Sequence, residues 1–411
     1  MTTTTAGLYR PLAGYAETLH ATAGWSHHVA SPLGAWLVLA LCAPASSGTT
    51  RDELTRVLGT DADTAAAAAA DLLGNRHPLV MAAAGLWYRE GGGTQALADW
   101  LARLPDQVET GDLPSQAQLD AWADRNTDGL IDRFPLKLRP ETVLVLATAL
   151  ATRVSWQRPF DVVPATALGP ASAWAGQVDR VLHTPDGPGH TQYIATSSRA
   201  GDVAVHTAHA RGGLLVTSVA ATPEVPTPDV LAAAYELAHA AATGGSVARH
   251  SLFELPLGDT PLWTLTERTA PVKAPDGREE RCTAVLPAWS ARSQHQLEHD
   301  ELGFPAAART LAEVLGLPAY GYEARQSAVA RYSREGFEAA AVTGMMELTS
   351  FTPPREGVVR TAELRFGHPY AVVAVAVDED RLGGAPGPWH GLPVFSAWVA
   401  EVEDAEEDDP R

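Results

Sequence analysis

Apolar residues cluster in runs whose spacing predicts most of the elements of this chain. Residues 33–42 are apolar on nearly every side, the pattern of a buried helix, and Ser31-Pro32 just ahead supplies its start. Residues 50–58 read as an amphipathic helix and 61–73 as an alanine-rich one. Val80–Tyr88 predicts a central strand, closed by the turn Gly91-Gly92-Gly93 and followed by a helix through Trp100. A helix over 115–133 turns Leu119, Trp122, Leu130 and Ile131 toward a core. The apolar stretch 142–156, bounded by Pro140 and Pro159, predicts a buried strand.

Beyond residue 200 the pattern shortens. Strands are predicted at 203–206, Leu214–Ala220, 252–257 and 283–286, with helices at 228–241 and 305–315. The runs 371–377 and 394–399 read as a hairpin buried in the core. Helices come early and strands late, which predicts an α+β fold with antiparallel sheets. No repeat and no long linker interrupts the chain, so residues 1–400 read as one domain, with 401–411 as an acidic, disordered tail.

With 45% hydrophobic and 19% charged residues the chain can fill a sizeable core, which sets it apart from disordered proteins. A net charge of -19 argues against nucleic acid or an anionic membrane as partner, because both require a basic face. Cys42 and Cys282 make neither a disulfide framework nor a zinc spacing. The N-terminus lacks the charged and apolar regions of a secretory signal, and the apolar run at 35–43 is too short to span a bilayer. These features predict a cytoplasmic monomer that needs no cofactor and no metal.

Enzyme motifs are missing: there is no Gly-x-Ser-x-Gly, no phosphate loop and no His-Glu-x-x-His. Cys282 is the one candidate nucleophile, with His250 or His295 as partner, although a lone cysteine in a strand-like run is more often a small buried hydrophobe. His27 and His28 point to opposite faces of a strand and have no third ligand nearby.

The stretch from Arg334 to Gly344 combines Glu335, Gly336, Phe337 and Glu338 with Ala339, Ala340, Ala341, Val342 and Thr343. Side chains this small are compatible with helix, loop or strand, which suits a segment that changes partners. The run resembles the reactive-loop hinge of the serpins, the serine protease inhibitor superfamily, and in particular bacterial members. The resemblance extends in order along the chain. Ser31-Pro32-Leu33 through Gly48-Thr49-Thr50-Arg51-Asp52-Glu53-Leu54 resembles the serpin opening, and Trp122 to Ile131 its Trp-x-x-x-x-Thr-x-Gly-x-Ile helix end. Thr142 to Leu146 with Trp156-Gln157-Arg158-Pro159-Phe160 resembles the third strand of the large sheet, whose Trp sits where the loop enters. Leu286-Pro287-Ala288-Trp289, His368-Pro369-Tyr370 and Phe395 to Val399 resemble later family motifs.

What the resemblance implies is a fold of helices around a large mixed sheet and smaller antiparallel ones, with an exposed reactive loop. It implies inhibition of a serine or cysteine protease: cleavage lets the loop insert as a new strand and carries the protease with it. Strand alternation would then bury Phe337, Ala339, Ala341, Thr343, Met345, Glu347 and Thr349. Glu347 fits poorly there, Phe337 stands where Thr or Ser is usual, and Arg334 replaces a glutamate. Family spacing puts the cleaved bond at Ser350–Phe351, or at Arg355 for a trypsin-like enzyme, and Pro353-Pro354 stiffen that part of the loop. In the family's sheet-closing cluster Ser31 is kept, while Gly34, Thr148 and Gln326 stand for a Ser, an Asn and a His; Thr148 and Gln326 have the donors and acceptors to rebuild a polar link. These departures keep two alternatives open. One is a non-inhibitory binding protein with a small-molecule ligand. The other is a fold recruited as an enzyme of hydrolase or cyclase type.

Overall fold

Ser31 opens the first buried helix of the molecule: its Oγ accepts from the Gly34 N–H at 3.2 Å, and Pro32 occupies the first turn, where no N–H partner is needed. The computed structural model describes residues 7–89, 94–318, 320–337, 355–378 and 385–406. In chain order, α1 (Tyr9–Ala23), β1 (His28–Ala30), α2 (Pro32–Cys42), α3 (Gly48–Leu58) and α4 (Ala62–Gly74) come first. Then follow β2 (Val80–Tyr88), α5 (Gln95–Leu101), β3 (Val108–Asp112), α6 (Gln116–Asn126), β4 (Leu144–Thr152) and β5 (Val154–Ser155). The middle holds β6 (Asp161–Pro164), β7 (Arg180–His183), β8 (His190–Ser197), β9 (Gly201–Ala210), β10 (Leu214–Ala220) and α7 (Thr227–Thr243). Next come β11 (Gly258–Asp259), β12 (Trp263–Val272), β13 (Arg278–Leu286), β14 (Trp289–Gln296) and α8 (Phe304–Val314). The chain closes with β15 (Arg325–Tyr332), β16 (Gly336–Phe337), β17 (Arg355–Arg365), β18 (Tyr370–Ala376) and β19 (Pro393–Val399).

One six-stranded sheet, ordered β1-β19-β18-β10-β9-β8, is antiparallel throughout and buried on both faces. A second runs β11-β12-β17-β13-β7-β6 and is mixed, because β13 and β17 are parallel. A three-stranded sheet, β3-β2-β4, and two ribbons, β14–β15 and β5–β16, complete the set. The main core joins α1 to α5 and α8 to the inner faces of these sheets, with Trp36 and Trp100 fully buried. A second core fills the space between α7 and the outer face of the first sheet. A third packs the far side of β2 and β4 against Trp122 of α6.

The structure has the expected α+β composition, and β18 and β19 pair in the core as expected. Three elements depart from expectation. Residues 252–257 are not a strand; Leu252–Glu254 is a short 3-10 turn capped by Ser251. The helix expected to reach 133 stops at Asn126, because Asp128 and Gly129 turn into the left-handed region (φ 52° and 77°), where a helix cannot continue. The stretch 142–156 is broken at Arg153 into β4 and β5. Residues 401–406, read as part of a loose tail, are instead tied down. Glu403 N–H donates to Ala288 O, Ala405 N–H donates to Arg180 O, and Asp404 accepts from the N–H groups of Asp179 and Arg180.

Candidate functional site

The site begins where the β3-β2-β4 sheet ends. Among the described residues no ladder joins β4 to β15, although both strands rest on the start of the same helix. Thr148, in the middle of β4, donates from Oγ1 to Gly34 O at 2.7 Å. Gln326, at the start of β15, accepts the Ser31 N–H at 2.9 Å and donates back to Ser31 O at 2.8 Å. Ser31 Oγ donates in turn to Val394 O at 2.9 Å. The structure therefore brings Ser31, Gly34, Thr148 and Gln326 together, with Gln326 and Thr148 both bonded to the start of α2. Each strand edge is held from below, and neither holds the other.

At the upper end the two edges meet the chain reversal at 333–337. β15 stops at Tyr332, the chain turns through Ser333, Arg334 and Glu335, and β16 runs back antiparallel to β5, with Gly336 opposite Ser155 and residue 337 opposite Val154. Four bonds hold this reversal. Trp156 N–H donates to Glu335 O, Phe160 N–H to Arg334 O, Trp156 Nε1 to Ser333 O at 3.0 Å, and Ser333 Oγ to Gly336 O at 2.7 Å. Arg334 Nε also donates to Phe160 O at 3.1 Å. Gly336 is required here: its φ is +133°, and a Cβ would stand 2.2 Å from Val154 O. Trp156 is 1% exposed and packs on Tyr332 and Phe160, so it is part of this turn.

A histidine pair that the sequence reading did not single out lies behind this turn. His190 Nε2 donates to Arg158 O at 2.8 Å, so in the neutral ring Nδ1 accepts, and His206 Nε2 donates to it at 3.1 Å. Phe160 packs against both rings at a tilt, with centroids 4.5 and 5.5 Å away. Burial lowers His190 to about 4 and holds His206 well below the usual imidazole range. A second buried chain runs Tyr235 OH to Ser396 Oγ to His20 Nε2, and from His20 Nδ1 to His28 Nε2, ending at Ser26 O. Neither chain has a sequence signature, since their members lie far apart along the polypeptide.

Other candidates fall elsewhere. Glu338, Ala339, Ala340, Ala341, Val342, Thr343, Ser350 and Phe351 lie outside the described residues. Arg355 opens β17 opposite Val272, so its bond already belongs to a sheet. Cys282 lies on β13, where burial and the neighbouring Glu280 raise its thiol to about 11, the reverse of what a nucleophile needs. Its candidate partners are engaged elsewhere: His250 Nε2 with Asp202 and Thr196, and His295 Nε2 with Val29 O. Among the described residues no cluster of metal-ligating side chains occurs, and no helix is long and apolar enough to cross a membrane.

The fold as a whole is similar to that of solved serpins. The serpin (serine protease inhibitor) family model matches residues 15–166. Solved serpins match over nearly the whole length. Human thyroxine-binding globulin, complexed with thyroxine, shares 13% identity at a TM-score of 0.61, covering 98% of this chain and 100% of its own. Serpin48 of the insect Tenebrio molitor shares 14% at 0.59, covering 96% and 98%. The thermophilic serpin Tengpin in its native state shares 13% at 0.59, covering 97% and 94%. No curated protein matches in sequence. The chain has the serpin fold throughout and carries the serpin family's sequence pattern in its first part.

Proposed function

We propose that this protein inhibits a serine or cysteine protease by cleavage and insertion of the loop between β16 and β17. The observation that carries the reading is the reversal at 333–337, which aims the chain down the open edge of β4. Its register can be extended. If residue 337 lies opposite Val154, then 339, 341 and 343 come opposite Thr152, Leu150 and Thr148. Cross-strand partners share a face, and this is the face on which Leu150 and Val154 join the main core and Thr148 reaches α2. The alanines and Thr343 suit it, and Thr343 would meet the closing cluster directly. Glu347 comes opposite Leu144, the half-buried first residue of β4, where its carboxylate is near the end of the sheet rather than under its middle.

Inserted in this way, the loop would unite β3-β2-β4 with β15-β14 in one sheet. About ten new backbone pairs, each worth roughly 1 kcal/mol, would raise the melting temperature by something on the order of 10–20 °C. The test compares thermal melting of the intact protein with that of protein nicked by a protease panel within 345–355. A rise of that order, together with an SDS-stable complex with one of the proteases, is the expected result. An unchanged melting temperature on nicking would refute insertion.

A binding protein that never inserts its loop is the competing reading. It draws on the likeness to thyroxine-binding globulin and on a cleft of about 550 Å³ lined by Arg199, Asp202, Val225, Leu262 and Trp263. It requires a small molecule that raises the melting temperature of the intact protein, with no gain on nicking.

A further inference from the structure

Polar side chains of the first sheet meet two different fates on its two faces. Thr207 and Thr217 pair across β9 and β10, and their hydroxyls bond to each other at 3.0 Å. The next pair along the ladder, His206↔Ser218, turns to the opposite face, where Ala204, Ala208, Val216 and Ala220 join the main core. His206 Nε2 donates to His190, which leaves its Nδ1 as a bare acceptor. Neither that nitrogen nor Ser218 Oγ has a hydrogen-bond partner among the described residues. Tyr370 lies on the same face, two residues from Val372, the partner of Ser218 on β18, and its hydroxyl is unpaired in the same sense.

The facing wall is the β14–β15 ribbon, where Trp289 and Tyr332 pair across the strands and stack at 5.9 Å. The Trp289 indole faces the Tyr370 hydroxyl, and the Tyr332 hydroxyl faces Ser218. Trp289 Nε1 still has no hydrogen-bond partner among the described residues. Aromatic rings close the sides. Phe160 lies 5.5 Å from His206 and 5.8 Å from Tyr332, and Phe366 lies 6.5 Å from His206 and 5.1 Å from Tyr370. His206, Ser218, Trp289, Tyr332 and Tyr370 are each at most 1% exposed.

Polar groups buried this deeply are costly unless something bonds to them. Groups that face one another beyond bonding distance have the geometry that a bridging water fits. Their chemistry is complementary to water as well. Trp289 offers only a donor, His206 Nδ1 only an acceptor, and the hydroxyls of Ser218 and Tyr370 offer both. One water can serve about three such groups at once. An ion fits badly, because none of these side chains carries a charge to offset its desolvation. A larger molecule has no path into a layer so fully enclosed. We infer that the boundary between the first sheet and the β14–β15 ribbon binds one or two ordered water molecules, shared by His206, Ser218, Tyr370 and Trp289. The ribbon is then joined to the first sheet partly through bound solvent, whether or not the loop inserts.

A high-resolution crystal structure of the intact protein tests this without any variant. Water should appear bonded to Trp289 Nε1 and to His206 Nδ1 or Ser218 Oγ. Side chains closed onto one another instead, Ser218 on Tyr332 and Trp289 on Tyr370 with no water between, would overturn the inference. In solution the test is a double-mutant cycle on urea midpoints with Ser218→Ala, Tyr370→Phe and the two combined. Each change removes one hydroxyl and keeps the shape of the side chain, and positions 218 and 370 share no direct hydrogen bond in the structure. Each single variant should lower the midpoint, and the double variant should lie close to the worse single one, because loss of the shared water is suffered once. Midpoint shifts that simply add would overturn the sharing.

Discussion

Gln326 shows how much rests on one side chain. Both arms of its amide are used on Ser31, which is 5% exposed. Gln326→Ala should leave the Ser31 N–H and C=O unmatched and lower stability by about 1–3 kcal/mol, read as a shift in the urea midpoint at constant slope. A shift of a few tenths would show that water replaces the amide freely. In the sequence this position is only a glutamine where a histidine is usual; that it bonds to backbone rather than to Thr148 is a matter of where β15 lies over α2. Trp156, by contrast, drew notice only through its resemblance to a family tryptophan after an apolar strand, and the structure buries it against Tyr332 and Phe160. Cys282 was legible as a candidate only because its surroundings were not: Glu280 beside it and burial around it disfavour the thiolate.

At the scale of elements, the open edge of β4 and the reversal of β16 define what the loop must satisfy. Residue 343 is the one that would face Thr148 in the extended register, in the middle of the sheet above α2. Thr343→Arg should therefore stop insertion part-way. The intact variant should melt as wild type does, while nicked variant loses most of the stability gain and the target protease is released active rather than trapped. A nicked Thr343→Arg protein as heat-stable as nicked wild type would show that the register is wrong. Helices were read well from sequence, since α3, α4, α7 and α8 carry apolar spacing, α2 is an unbroken apolar run, and Ser, Asp or Pro stands near their starts. The helix α1 was passed over although Leu12, Tyr15, Ala16 and Leu19 repeat at helical spacing. Strands fared worse. β12 and β17 carry Glu267, Arg268, Arg360 and Glu363 among their apolar residues, and such strands show little alternation.

For the whole molecule, the buried histidines predict the response to acid. His20, His28, His190, His206 and His295 are all held below the usual imidazole range, in each case mainly by burial. In the unfolded chain they take up protons near pH 6.5. As pH falls below that value the unfolded state binds protons the folded state refuses, so stability is full above about pH 7 and declines as the pH drops. The decline continues until the folded histidines titrate, which for His190 is about 4. Each such histidine contributes up to about 1.4 kcal/mol per pH unit within its window. Urea midpoints at pH 7.5, 6 and 5 should fall in that order; equal midpoints at 7.5 and 5 would mean these rings charge without penalty.

Local pattern and ordered motifs by themselves determined the fold class, most helices and the paired final strands, because each follows from apolar spacing within a few turns. Only the tertiary structure decided that β4 and β15 each bond to the start of one helix, that the chain reverses at Gly336, and that β17 lies between β12 and β13. Those features depend on pairings between residues tens to hundreds of positions apart. The energy of such a pairing lies in backbone hydrogen bonds, which every sequence carries alike.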